Sequence, residues 1–369
     1  MSLATSLERY LLKLINKERS KRGIDELVLE QNLNKSADKH SEWMLKTDVF
    51  SHTGVNGTSS SDRMRKAGFD MDGSWHTGEN LGAVTIGGKA GLKDDVRRLH
   101  ENLMDSPAHK AELLHPDFEY AGIGIKIGNF DFGGGRVAKT MMATENFGRT
   151  SGEGKLDLQG NGRGNRLSGE DGNDTIKGKG GNDRIKGKDG NDRIDGGSGR
   201  DKIDGGDGRD KIKGGDGRDK IDGGNGRDKL YGQDGNDRLE GGRGKDTLKG
   251  GDGRDKLKGE SGNDKLYGQR GDDKLDGGSG NDKLKGGSGA DSFVFRDGYD
   301  RDKIRDFSGK DEIRLDDNLW EGNLSARQVV NRFADVVDGN VEFDFGGGDV
   351  LTLQGVDSTR GLASDIDIF

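Results

Sequence analysis

Fourteen aspartates recur at nine-residue spacing: Asp174, Asp183, Asp192, Asp201, Asp210, Asp219, Asp228, Asp237, Asp246, Asp255, Asp264, Asp273, Asp282 and Asp291. Carboxylates in such a series repel one another unless a cation neutralises them, and a hard divalent cation takes six to eight oxygen ligands. Calcium suits that donor set. Zinc does not, because residues 169–294 contain no histidine or cysteine.

The rest of the nonapeptide says what must position these carboxylates. Glycine fills the first place from Gly169 to Gly286 and the fourth from Gly172 to Gly289, aspartate the sixth, and an apolar residue the eighth, from Ile176 to Phe293. One apolar residue in nine cannot make a helix face. A short strand over places seven to nine turns the eighth inward and its neighbours outward. The glycines are then expected in turns, where positive φ or close approach excludes a Cβ. Two nonapeptides make one coil of a flattened solenoid, and coils stack about 4.8 Å apart, so the aspartates form two edge rows. Roughly a dozen calcium sites, each needing two stacked turns, are expected. One buried side chain per nine residues cannot offset the entropy of ordering nine backbones, so the repeat is expected to fold only with calcium.

This pattern resembles the repeats-in-toxin (RTX) family, whose nonapeptide is a calcium-binding parallel β-roll. Residues 169–294 match it closely. Residues 151–168 hold two degenerate copies, with Leu158 and Leu167 in the apolar place but Leu156 and Asn165 in the aspartate place. They read as the N-terminal cap of the solenoid.

Charge separates the segments. The net charge is −8, yet residues 1–150 carry 21 basic and 21 acidic side chains, while residues 295–369 carry 9 against 17. By resemblance to RTX proteins, 295–369 is a β-rich C-terminal cap holding an uncleaved signal for a type I secretion apparatus. That implies a secreted, extracellular or cell-surface location. Residues 1–20 are amphipathic and unlike a secretory signal peptide, and no run approaches the 18 apolar residues of a transmembrane segment. Absence of cysteine excludes disulfides and thiolate chemistry. Place seven is Lys or Arg in eleven copies. These residues make either a solubilising surface or, once calcium neutralises the aspartates, a cationic adhesion rod for anionic polysaccharide or lipid. No specific nucleic-acid recognition is expected, since GxGxxG matches in the repeat precede no helix.

Residues 1–150 read as a compact α+β domain. Thr5 and Glu8 make a capping box for a helix with Leu7, Leu11, Leu14 and Ile15 on one face. Further helices are expected over 32–46, 62–67 and 94–104, and strands over 122–127 and 137–147 joined by a glycine-rich hairpin. A second resemblance lies in Asn16 to Arg19, His40, Met44, Ser51 to Gly54, Arg63, Gly78-Glu79-Asn80, Ser106 to Lys110, Gly122 to Gly124 and Asn146-Phe147. In that order they resemble the bacterial branch of the CAP superfamily (cysteine-rich secretory proteins, antigen 5, pathogenesis-related 1).

The resemblance implies an α-β-α sandwich whose cleft holds two histidines and one or two acidic residues. Carried onto this sequence, these are His52, Glu79 and His109. The second acidic place falls on Glu145 or Glu101, with Glu145 favoured because strand alternation could aim it into the cleft. Gly78 and Asn80 are expected to shape a loop presenting Glu79, and His40 to pack on its helix. His76, His100 and His115 lack motif support and are expected to be exposed. Such a cluster could hold zinc between His52 and His109, activate water as a general base in a hydrolase or peptidase, or bind a surface or lipid ligand. No HExxH or GxSxG is present.

Overall fold

The Thr5 hydroxyl accepts the Glu8 N–H, and the Glu8 carboxylate reaches back to the Thr5 N–H, opening α1 (Ser6–Ser20). Both contacts belong to the computed structural model, which describes residues 5–71, 74–86, 91–150 and 154–369. The chain forms two units, one reaching residue 159 and including 170–175, the other comprising 160–169 and 176–369. The expected junction at 151–153 lies outside the described residues.

The first unit continues with β1 (Val28–Glu30), α2 (Gln31–Thr47), α3 (Ser60–Ala67), β2 (Trp75–Thr85), α4 (Leu92–Asp105), α5 (Pro107–Leu113), β3 (Tyr120–Asp131), β4 (Val137–Thr150) and β5 (Asp157–Gln159). Strand order is β2-β4-β3-β1-β5. Leu11 and Ile15 of α1 and Val96, Leu99 and Leu103 of α4 pack on Ile123, Ile125, Met141, Ala143 and Phe147 on one face. Met44 of α2 packs with Leu81, Phe130 and Met142 on the other. This is an α-β-α sandwich.

The helix α2 meets β3 backbone to backbone at Gly122 and Gly124. A Cβ on Gly122 would overlap Leu33 C and Asn34 N, and one on Gly124 would overlap Asp38 N and Ala37 C. Both obstacles are backbone, so neither can rotate away. Gly124→Ala is therefore expected to cost about 1–3 kcal/mol, read as a lower denaturation midpoint of this unit in calcium; an unchanged midpoint would contradict the close approach.

Two expectations fail here. Gly78-Glu79-Asn80 lies inside the edge strand β2, paired residue for residue with Phe147, Asn146 and Glu145 of β4. Gly78 is needed in that strand because a Cβ would strike Glu112 and Phe118. His100 is 6 % exposed, in the α4 face that turns inward.

The second unit opens with β6 (Arg166–Ser168), where Leu167 of the second degenerate copy lies in register with Ile185. Thirteen strands follow, from β7 (Thr175–Gly180) to β19 (Lys283–Ser288). Odd-numbered strands build one parallel sheet and even-numbered strands the other. Register advances by 18 residues, as in Ile194, Ile212 and Leu230, so two nonapeptides make each coil. Every place-eight side chain is at most 2 % exposed.

The strands are longer than expected, six or seven residues reaching past place nine. Place-one glycines therefore sit within strands rather than turns. Gly205 shows why: its Cβ would lie 2.5 Å from Asp210 Oδ2 and 2.6 Å from the Gly223 carbonyl oxygen of the next coil. Place four does turn, with Gly217 at φ 131°, a conformation L side chains rarely adopt.

The solenoid also continues beyond 294. β20 (Ser292–Phe295), β21 (Arg301–Ile304) and β22 (Glu312–Leu315) carry the two sheets onward in parallel. After α6 (Ala326–Phe333), an antiparallel run of β23 (Ala334–Val337), β24 (Asn340–Gly346) and β25 (Asp349–Leu353) adds to β21, and β26 (Ile366–Ile368) adds to β22.

Candidate functional sites: the aspartate ladder and the edge cleft

Each place-six aspartate is linked to the coil below through backbone. Asp183 N–H donates to Asp201 Oδ1 at 2.8 Å, Asp201 to Asp219 and Asp219 to Asp237 at the same distance. The other edge repeats this from Asp192 through Asp210, Asp228, Asp246 and Asp264 to Asp282. The fourteen residues thus form two rows. All are at most 2 % exposed.

One oxygen of each carboxylate is consumed by that bond. The other, Oδ2, is buried without a hydrogen-bond partner at Asp183, Asp201, Asp210, Asp219, Asp228, Asp237, Asp246, Asp255, Asp264, Asp273 and Asp282. Buried carboxylate oxygens are ordinarily satisfied. Here Oδ2 and a glycine carbonyl of the next coil converge on space that a side chain would otherwise fill, as at Gly205, and at Gly223 with Asp228 Oδ2 at 2.8 Å and Gly241 O at 2.6 Å. An all-oxygen set with an orphaned anionic member fits calcium and offers nothing to a soft metal. Burial, with neighbouring carboxylates adding to it, pushes Asp210, Asp219, Asp228, Asp255, Asp264 and Asp282 up to about 7. Without a cation these groups resist ionising at neutral pH.

The rows gain two members that nine-residue counting misses. Asp302 Oδ1 accepts from Asp282 N–H, and Asp311 Oδ1 from Asp291 N–H, both at 2.9 Å. Their spacing is 20 residues, but each keeps the aspartate-x-isoleucine core of the repeat, in Asp302-Lys303-Ile304 and Asp311-Glu312-Ile313.

The first unit gathers its polar residues at the β2 edge. Glu79 accepts from His52 Nδ1 at 3.0 Å through Oε1 and forms an ion pair with Arg63 through Oε2. Arg63 Nη1 also donates to the His52 and Thr58 carbonyls, both at 2.9 Å. His40, buried as expected, donates from Nε2 to the Ser51 carbonyl at 2.8 Å. The loop bearing His52 is thereby held on both sides. His109 of α5 lines a cavity of about 390 Å³ together with Phe50, Leu81, Leu99, Leu103, Phe130 and Phe132. Burial and the nearby His52 lower the His109 pKa.

Neither candidate for the second acidic place joins them. Alternation puts Glu145 on the face opposite Glu79, since Glu145 pairs with Asn80 and Glu79 with Asn146. Glu145 is 1 % exposed and, among the described residues, meets the cleft through Asn80, whose Nδ2 donates to Glu145 Oε2 at 3.4 Å and to the His109 carbonyl at 3.0 Å. Burial pushes its carboxyl up to about 8. Glu101 is exposed on α4, where its charge is felt by His100 along with that of Glu18 of α1.

Two family models match this chain. The cysteine-rich secretory protein family, CAP, matches residues 12–133, and the RTX calcium-binding nonapeptide repeat matches overlapping stretches from 159 to 302. The chain is a CAP domain joined to an RTX calcium-binding solenoid. The CAP domain is 28 % identical over 123 residues to two Bacillus subtilis proteins, the uncharacterized membrane protein YlbC and the uncharacterized protein YkwD. The match covers 33 % of this chain, 32 % of YlbC and 44 % of YkwD, so the chain spans less than half the length of either relative. An extracellular protein containing a SCP domain from Bacillus anthracis is similar at 21 % identity and a TM-score of 0.30, covering 41 % of this chain and 45 % of that one. Among the described residues, no helix of the CAP-RTX chain is long and apolar enough to cross a membrane.

Proposed function

We propose that this calcium-binding protein is exported unfolded through a type I apparatus and that external calcium then folds its RTX solenoid, displaying the CAP domain at or near a cell surface. The observation that carries this reading is the row of buried Oδ2 atoms without partners. A solenoid that needs a divalent cation in every coil stays extended where calcium is scarce and closes where it is plentiful. The CAP cleft is the ligand-binding part. Glu79 accepts a hydrogen bond from His52 Nδ1, which leaves Nε2 available as a base or ligand atom, while His109 lines the apolar cavity. Zinc between His52 and His109, an apolar or lipid ligand in the cavity, and water activation by His52 in a hydrolase are the roles this arrangement supports. Lysines at place seven such as Lys211, Lys229 and Lys256 are exposed, which suits an anionic surface as partner.

Limited trypsin digestion tests the conditional fold. Residues 169–294 hold 27 lysines and arginines, so an unfolded solenoid has a cleavage site every few residues. In millimolar calcium the segment is expected to survive as one fragment, and in EGTA to vanish while the CAP domain persists. Equal survival of the solenoid in both conditions would defeat the proposal.

A further inference from the structure

Outside the cleft, three donors that no motif singles out come together. His76 stands near the start of β2, and His115 and Asp117 lie in the turn between α5 and β3. Their ligand atoms all lie within 4.8 Å of one another, and among the described residues they form the group of three histidine or carboxylate donors this compact. We propose that His76, His115 and Asp117 bind a divalent transition metal, zinc being the natural occupant, in a site separate from the calcium rows and from the His52 cleft.

Donor chemistry selects the metal. Two imidazoles and one carboxylate suit zinc and its neighbours and are poor ligands for calcium. Three protein ligands leave a fourth position for water or a ligand atom, the arrangement of an open rather than a closed zinc site. His76 and Asp117 are exposed and His115 half-buried, so the site can be entered from solvent.

The turn is also built to hold its shape. Arg19 is fully buried, and its guanidinium donates to the carbonyls of Leu113 at 3.1 Å, His115 at 2.8 Å and Phe118 at 3.0 Å. One rigid cation thus fixes the backbone on both sides of His115. Phe118 supports both rings, with centroids 4.9 Å from each, and the two imidazoles meet edge to face at 4.8 Å. These contacts orient the rings through their faces and leave nitrogen atoms for a ligand. The polar contact of the His115 ring is a 3.3 Å bond from Asp117 N–H to Nδ1. Metal binding costs only this long contact. Preorganisation of this kind is what makes a three-ligand surface site bind rather than merely approach.

The test uses the full chain saturated with calcium, so that the aspartate rows are filled, and titrates zinc against a chromophoric chelator. One zinc per chain is expected. His76→Gln and His115→Gln are each expected to weaken binding by at least about tenfold, since even losing a group that only orients a ligand costs that much. Asp117→Asn keeps the backbone N–H and removes only the charged ligand, so weaker binding there reports coordination rather than folding. Circular dichroism in calcium, unchanged in all three variants, guards against misfolding. Cobalt substituted for zinc gives a visible band that the same variants should erase. The proposal is overturned if the chain takes up no zinc, if binding is insensitive to these three substitutions, or if it falls only in His52→Gln or His109→Gln.

Discussion

Chelating calcium at pH 7.5 is expected to abolish the strand signal of the solenoid in far-ultraviolet circular dichroism, while the helical signal of the CAP domain remains. The physical reason is charge. With the cation gone, two rows of buried carboxylates stand on successive coils, and eleven of them, among them Asp183, Asp210 and Asp228, have an oxygen that neither water nor protein satisfies. Burial raises the folded-state pKa from 3.8 to about 6 at Asp183 and Asp273 and to about 7 at Asp210 and Asp219. A raised folded-state value means that protonated carboxyls favour folding. That contribution is full below pH 3.8 and disappears as pH climbs through 6 to 7. In EGTA, therefore, strand signal should return in part as pH falls from 7.5 toward 4, protons standing in for calcium. A metal-free spectrum that keeps full strand signal at pH 7.5, or that loses more of it on acidification, would contradict the reading.

Arg19→Met should destabilise the CAP domain strongly. The side chain is fully buried and donates to four carbonyls, of Asp25, Leu113, His115 and Phe118. Methionine fills the space but leaves the Asp25, Leu113 and Phe118 carbonyls without the arginine's N–H groups, while the His115 carbonyl keeps the Phe118 N–H at 3.4 Å. At about 1–3 kcal/mol for each unsatisfied group, the loss is at least about 3 kcal/mol. Urea denaturation in calcium, followed through the helical signal, measures it; a loss under about 1 kcal/mol would mean the carbonyls find water instead. Arg19→Lys should recover only a minor part, because an ammonium cannot reach acceptors on both sides of the turn.

The solenoid was legible because it is one-dimensional. Register, burial and ligand rows all follow from local position, so counting by nine located the core from Ile176 to Phe293 and the aspartates from Asp174 to Asp291. Counting failed where the period broke, at Asp302 and Asp311, and it could not foresee that place-one glycines lie in strands. The CAP domain was harder. Motif order placed His52, Glu79 and His109 near one strand edge, but alternation alone could not decide which face Glu145 takes, because that depends on its pairing with Asn80 in β2, a strand the sequence conceals behind Gly78. His76, His115 and Asp117 were invisible for a related reason. They meet through a turn whose shape is fixed by a buried arginine nearly a hundred residues upstream.

The central claim is that the aspartate rows are calcium sites shared between stacked coils. Its most direct measurement is calcium stoichiometry, by equilibrium dialysis of the full chain or by native mass spectrometry. Roughly a dozen ions per chain are expected, one for each pair of stacked turns, bound together with the gain of strand structure. One or two ions per chain in a fully folded solenoid would contradict it.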